Sequence, residues 1–325
     1  MKTRTEIIEE ALALCATLPI RTVAKNLHID HPEHFRSVEV ARSALRDRRG
    51  ANGRAPLKSY GKERKLSTIA EGISKLRRQL PEKDLDITIK DAQVLVINDL
   101  HIPYHDPEAV SIALEYCEPD VIILNGDIVD FYGISRFSRE IGRMTVNDEL
   151  AELRKFLQLL RDEFPDTRII YKIGNHEERL WSYLLSQAKE IRDLDALKFE
   201  NISGCKDLGI EIVRTKRIML GKLSLLHGHE LPHGMVAPVN PARGVYLRTH
   251  ASTMVGHHHQ VSHHSENDLN NKAIGCWSVG CLCRLTPEYN PFAYTKWSHG
   301  FAVVDVDSRG MFTVHNKMIV NGEVR

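Results

Sequence analysis

Four apolar residues in succession, Val94–Ile97, run straight into Asp99 and His101 before the chain turns at Pro103. A strand with no polar face has to be covered on both sides. Two similar stretches follow, Asp120-Val-Ile-Ile-Leu-Asn-Gly-Asp127 and Arg168-Ile-Ile-Tyr-Lys-Ile-Gly-Asn175, each ending in a glycine and a polar residue. Helical spacing separates the three, in Pro107–Tyr116 and in Val146–Phe164, which Pro165 closes. Strand–helix alternation from about Asp86 predicts an α/β fold with a largely parallel sheet covered on both faces. In such sheets ligands gather at the carboxyl ends of the strands, and that is where the unusual polar residues lie.

Beyond Glu177 the spacing of Leu180, Trp181, Leu184, Leu185, Ala188 and Ile191 predicts a helix to about Leu197. The later chain reads as β-rich, with short strands at 209–213, 217–220, 222–226 and 253–255. Phe301–Val306 and Phe312–Ile319 read as a hairpin around Ser308-Arg309-Gly310.

The N-terminal part reads differently. Residues 4–16, Pro19–Leu27 and about 33–48 have helical spacing and predict a small helical region over 1–50. Three short helices with a tight turn between the second and third resemble a helix-turn-helix; a small helical bundle is the alternative. Residues 51–85 read as a basic linker, broken by Gly53, Pro56 and Gly61, followed by a helix over 66–80 and a boundary at Pro81–Asp86. The third segment, 86–325, carries the alternating pattern. Charge follows the same division: residues 1–90 hold 19 Lys/Arg against 12 Asp/Glu, and the remainder sums to −6. A basic N-terminal region suits an anionic partner such as nucleic acid, because each neutralised phosphate releases counterions.

Composition excludes several classes. Hydrophobic content of 42% and charged content of 27% are those of a globular protein rather than a disordered or fibrous one. No run approaches the roughly 18 apolar residues of a membrane span, and the N-terminus lacks the apolar core of a signal peptide. Six scattered cysteines, with Cys281-x-Cys283 the only close pair, read as free thiols in a reducing cytoplasm.

Five polar clusters share a chemical theme: Asp99-Leu-His101, Gly126-Asp127-Ile-Val-Asp130, Gly174-Asn175-His176-Glu177, His227-Gly-His229 and Gly256-His257-His-His259. In an extended segment side chains two apart share a face, so Asp99 and His101 can reach one ion, and His257 and His259 both face the site, while Leu100 and His258 point away. Mixed imidazole and carboxylate donors suit Mn²⁺, Fe or Zn²⁺ rather than Ca²⁺. Any one cluster is an ordinary turn; the set, in this order, reads as a metal site.

The five blocks together resemble the calcineurin-like metallophosphoesterase family over roughly residues 90–325. That resemblance implies a four-layer α/β/β/α sandwich and two divalent ions, Mn²⁺ first, with Fe or Zn²⁺ as alternatives. It assigns the first ion to Asp99, His101, Asp127 and His259, and the second to Asp127, Asn175, His227 and His257, with Asp127 bridging. It makes His176 the histidine that stabilises or protonates the reacting phosphate ester, and Asp130 the carboxylate that orients it. His229 and Arg179 stay open: His229 can ligate, hydrogen-bond or contact substrate, and Arg179 can hold phosphate or pair with an acid. The protein-phosphatase branch follows its second block with Asp-Arg-Gly, whereas Asp130-Phe131-Tyr132 stands here. The expected activity is phosphate-ester hydrolysis by metal-bound hydroxide, as a nuclease or phosphodiesterase given the basic N-terminal region. The alternatives are a small-molecule or nucleotide phosphomonoesterase and, in another class, a nucleic-acid-binding scaffold with little catalysis. His250, His263, His264, Arg284 and the aromatic stretch Tyr289–Trp297 are secondary candidates for lining the groove.

Overall fold

A computed structural model describes residues 2–49, 87–135, 144–214, 217–231, 239–287, 292 and 294–325. The expected linker at 51–65, the helix at 66–80 and the boundary at 81–86 lie outside them. The chain divides into two units, Met1–Lys83 and Asp84–Arg325.

In the first unit three helices, α1 (Arg4–Leu14), α2 (Ile20–Asp30) and α3 (Val38–Arg49), enclose Ile7, Ala11, Val23, Ala24, Leu27, Phe35, Ala41 and Leu45. Thr3 and Glu6 form a reciprocal capping box that starts α1. The third helix begins at Val38 rather than near Glu33, because Phe35 leaves helical geometry to become fully buried and Ser37 then accepts from Val40 N–H. The link between α2 and α3 is therefore residues 31–37, longer than the three- to four-residue turn of a helix-turn-helix.

In the second unit a seven-stranded sheet has the order β13 (Glu323–Val324), β12 (Phe312–Val320), β11 (His299–Val306), β2 (Ala92–Ile97), β3 (Val121–Asn125), β4 (Arg168–Lys172), β5 (Glu211–Val213), and a six-stranded sheet the order β1 (Ile87–Ile89), β6 (Ile218–Leu220), β7 (Leu223–Leu226), β8 (Thr253–Val255), β10 (Ala273–Ser278), β9 (Ser262–Asn267). The first sheet is mixed. Its parallel half is β2, β3, β4 and β5. Its antiparallel half is β11, β12 and β13, joined through β11 to β2. One face packs Leu95, Ile97, Ile122, Leu124, Ile169 and Tyr171 against α4 (Pro107–Leu114) and α5 (Val146–Glu163). The other packs Val94, Val96, Ile123 and Ile170 against Ile218, Leu220, Leu223, Leu225 and Met254 of the second sheet. The two sheets lie face to face between helical layers, which is the four-layer α/β/β/α sandwich that the family resemblance implies, and the apolar strands of the first sheet are buried on both sides because helices cover one face and the second sheet the other.

A helix over Pro241–Thr249 packs Ala242 and Val245 on Leu226, Val255 and Cys276, which completes the fourth layer. The helix expected over 177–197 is Glu178–Gln187 (α6) only. Ile191 and Leu194 are about half exposed, so no burial rewards its continuation. Among the described residues no helix is long and apolar enough to cross a membrane.

Candidate metal centre

Five loops converge at the carboxyl ends of β2, β3, β4, β7 and β8. The loops after β2 and β3 run side by side: Asp99 N–H donates to Gly126 O at 3.1 Å, His101 N–H to Asp127 O at 3.0 Å and Ile102 N–H to Ile128 O at 2.8 Å. Gly256 N–H donates to His227 O at 2.8 Å, tying the last two loops together. Gly126 (φ 85°) and Gly174 admit no side chain, since a Cβ would collide with the His227 ring in one case and with Asp127 in the other.

The ligand candidates converge for a reason that strand alternation misses. Asp99, His101, Asp127, His257 and His259 all have left-handed backbones, with φ of 54°, 49°, 52°, 63° and 55°. Each costs about 1–2 kcal/mol relative to ordinary geometry, and strain of this kind concentrates at functional sites. The extended geometry expected for Asp99-x-His101 and His257-x-His259 is thus replaced by single left-handed residues that turn each side chain inward.

Two groups of donor atoms share Asp127. Atoms of Asp99, His101 and Asp127 lie within 4.8 Å of one another, as do those of Asp127, His227 and His257. His259 joins the first group: its Nε2 is 3.2 Å from Asp99 Oδ1 and 3.1 Å from His101 Nε2. Asn175 joins the second, with Oδ1 at 3.2 Å from His227 Nε2, which is 3.3 Å from Asp127 Oδ2. The structure thereby brings together all seven residues expected as ligands.

Supporting bonds fix which nitrogen faces inward. His227 Nδ1 lies 2.7 Å from Asn125 O, and His101 Nδ1 lies 2.9 Å from Asp130 Oδ1, so both rings point Nε2 into the centre, as metal-ligating histidines do. Charges respond accordingly. Burial pushes His227 down, but Asp127 more than offsets it and lifts the imidazole to about 10. Asp99 similarly lifts His259 to about 9 against its burial. Asp127 is held well below the carboxylate range despite its burial, through His176 and His227. Burial and the neighbouring His227 push His257 down to about 4. Buried carboxylates drawing protons onto adjacent imidazoles are a donor set that fits divalent cations, whose charge serves the same carboxylates without those protons.

His176 stands beside this set. Its N–H donates to Asp127 Oδ1 at 2.9 Å, its Nδ1 is 2.8 Å from Asp130 O and 3.1 Å from Asp130 Oδ1, and its Nε2 is 3.8 Å from Asp127 Oδ2. Asp130 therefore touches both His101 and His176. Arg179 donates to Asp130 O and to His176 Nε2, each at 2.8 Å, so its guanidinium is engaged at the histidine rather than standing free for substrate. His229 turns its nitrogens toward Glu178 (3.3 Å) and Glu230 (3.7 Å), outside the donor groups.

Sequence reading assigned no role to Glu177, Glu230 or Lys172. The Glu177 carboxylate accepts from the backbone N–H of Asp127, Ile128, Val129 and Gly174 and from Tyr171 O–H, all at 2.8–3.3 Å. It is the internal support of the Asp127 loop. Glu230 accepts from His227 and Gly228 N–H and pairs with buried Lys172 at 2.5 Å. The only sequence signal was position: Glu177 closes the Gly-Asn-His-Glu block, and Glu230 follows His229.

Of the secondary candidates, His263 stacks on Trp277, and His250 and His264 contact Tyr246. None belongs to the donor groups found among the described residues. Trp297 packs edge-on against His259 at 4.4 Å, while Phe292 and Tyr294 are fully exposed.

Glu149, at the start of α5, accepts from Gly133 N–H at 3.2 Å just beyond Asp130, and its Oε2 is buried without a hydrogen-bond partner among the described residues. Burial raises its pKa from 4.5 to about 7. The unfolded chain ionises this carboxyl first, so stability should fall as pH rises from about 4.5 to about 7, by about 3 kcal/mol, and level off above. Glu149→Gln should flatten that decline in urea unfolding measured at pH 5 and pH 7.5; an unchanged slope would mean that Glu149 is ionised throughout.

The family model for calcineurin-like phosphoesterases matches residues 92–278, more than half of the chain and a span that contains every ligand candidate. Among solved structures, a metallophosphoesterase from Sphaerobacter thermophilus is 18% identical, over 69% of this chain and 87% of that one, with a TM-score of 0.35, too low a likeness to carry a structural argument. No curated protein sequence matches the chain.

Proposed function

The chain belongs to the calcineurin-like phosphoesterase family, and from that premise we propose that its converging loops form a two-ion centre that hydrolyses phosphodiesters. The family comprises metal-dependent hydrolases of phosphate esters, and this chain is a phosphoric ester hydrolase. The observation that carries the two-ion reading is that Asp127 belongs to two separate donor groups, one with Asp99 and His101 and one with His227 and His257. Asp99, His101, Asp127 and His259 would hold one ion; Asp127, Asn175, His227 and His257 the other. Imidazole, carboxylate and amide donors suit Mn²⁺, Fe or Zn²⁺. Bound ions would supply charge to the phosphoryl oxygens and acidify the attacking water.

The chain's own residues supply the remainder. His176 has its Nε2 at 3.8 Å from Asp127 Oδ2; that nitrogen accepts from Arg179, and it would carry a proton to the leaving oxygen once substrate displaces the guanidinium. Its pKa is raised: burial opposes the charged form, but Asp127 and Asp130 outweigh it. Asp130 fixes the ring through Nδ1, which leaves Nε2 as the working nitrogen. Arg179 holds the same carbonyl and the same ring, and so acts through His176.

A diester substrate, and nucleic acid within that class, is favoured by the +7 balance of residues 1–90. A second support is the pair of exposed rings, Phe292 and Tyr294, on the segment leading to Trp297, because exposed aromatics can stack on bases. With Mn²⁺ present, bis(p-nitrophenyl) phosphate should give a higher kcat/KM than p-nitrophenyl phosphate, and single-stranded DNA or RNA should be cut with strong salt inhibition. Preference for the monoester would replace this reading with a phosphomonoesterase. Metal binding without turnover of either ester would leave the nucleic-acid scaffold.

A further inference from the structure

Cys283 has no part in the centre described so far, yet its Sγ and one ring nitrogen each of His101 and His259 lie within 4.8 Å of one another, all three residues being buried. The thiol is free. Its position is set by the loop that carries the ligands: Leu282 N–H donates to Asp99 O at 3.2 Å, Asp106 N–H to Leu282 O at 2.8 Å and Arg284 N–H to Tyr104 O at 2.9 Å. His299 Nε2 lies 2.9 Å from Cys283 O on the other side. Residues 282–284 are thus threaded along the Asp99–Asp106 loop, so the backbone that carries the thiol is fixed to the loop that carries Asp99. Nearby, His259 Nδ1 is buried and has no hydrogen-bond partner among the described residues. Cys281, two residues earlier, contacts Ser298 O at 3.7 Å and hydrogen-bonds the Cys283 side chain, so its serine variant is the control for altering the neighbouring sulfur alone.

We infer that Cys283 is a further ligand of the ion held by His101 and His259, and that this ion is therefore a thiophilic one, of the Zn²⁺, Co²⁺ or Fe²⁺ class, in preference to Mn²⁺. The inference rests on the two-ion reading above. On binding, the thiol proton leaves to solvent and the sulfur–metal bond forms, since a coordinated thiol is deprotonated outright. Thiolate softens a set that is otherwise hard, and softness decides between Mn²⁺ and the later first-row ions. A cysteine serving only as a small apolar filler makes no such selection.

Chelator-stripped protein reloaded with Co²⁺ separates the cases spectroscopically. The wild type should show a near-ultraviolet thiolate-to-cobalt charge-transfer band beside visible d–d bands. Cys283→Ser should lose the first and keep the second, and Cys281→Ser should keep both. Zn²⁺ affinity should fall about 10- to 100-fold in Cys283→Ser, by more than Mn²⁺ affinity. For the unmutated protein loaded with Zn²⁺, X-ray absorption should show a sulfur shell at about 2.3 Å, a readout that does not depend on any variant folding. Visible bands without charge transfer, a charge-transfer band surviving Cys283→Ser, or zinc without sulfur overturns the thiolate ligand while leaving the His/Asp centre intact. Absence of every cobalt band overturns the centre itself.

Discussion

Asp127→Asn should reduce phosphodiester turnover by at least about 10³-fold, a loss of about 4 kcal/mol in transition-state stabilisation. The side chain keeps its shape, so the effect isolates charge and donor chemistry. Asp127 belongs to both donor groups, and its two oxygens already serve separate partners, Oδ1 the His176 N–H and Oδ2 the His227 imidazole. An amide puts N–H₂ against one of them and removes the anion on which both groups depend. Because Asp127 is almost fully buried, circular dichroism has to confirm folding before kcat/KM on bis(p-nitrophenyl) phosphate is compared. A folded variant with wild-type turnover would remove Asp127 from the centre.

The second large effect separates a proton-transfer group from a ligand. His176→Gln should lower kcat about 10²- to 10⁴-fold while the bound metal content stays unchanged, since His176 bonds Asp130 and Arg179 rather than the inward-facing ligand nitrogens. Asp130→Asn should behave differently. Its carboxylate reaches both His176 and His101, so that variant should lose kcat and also about 10- to 100-fold in metal affinity. Metal loss in His176→Gln matching that in Asp130→Asn would make His176 a ligand and take the acid role from it.

Much of this centre was legible because its residues follow runs such as Val94–Ile97 and Val121–Leu124, whose burial on both faces dictates strands and places Asp99 and Asp127 at their ends. The left-handed backbones of Asp99, His101, Asp127, His257 and His259 were not. Periodicity carries side-chain direction only within regular elements, and these residues converge by leaving them. Strand β9 was obscured for a related reason: it is Ser-His-His-Ser-Glu-Asn, an edge strand of the second sheet with no apolar face to announce it. The helix at Pro241–Thr249 did carry a signal, the Asn240 cap followed by Pro at the first position, but its apolar spacing is too sparse to register as a period. Glu177 could be read as a fourth member of a block, yet five donors converging on one carboxylate are visible only in three dimensions.

Counting metal tests the shared role of Asp127 most directly. Elemental analysis of chelator-stripped, reloaded and desalted protein should find two divalent ions per chain in the wild type. In His257→Ala, which touches only the second donor group, it should find one. A wild-type stoichiometry of one, or two ions retained in His257→Ala, would contradict a two-ion centre built on these loops.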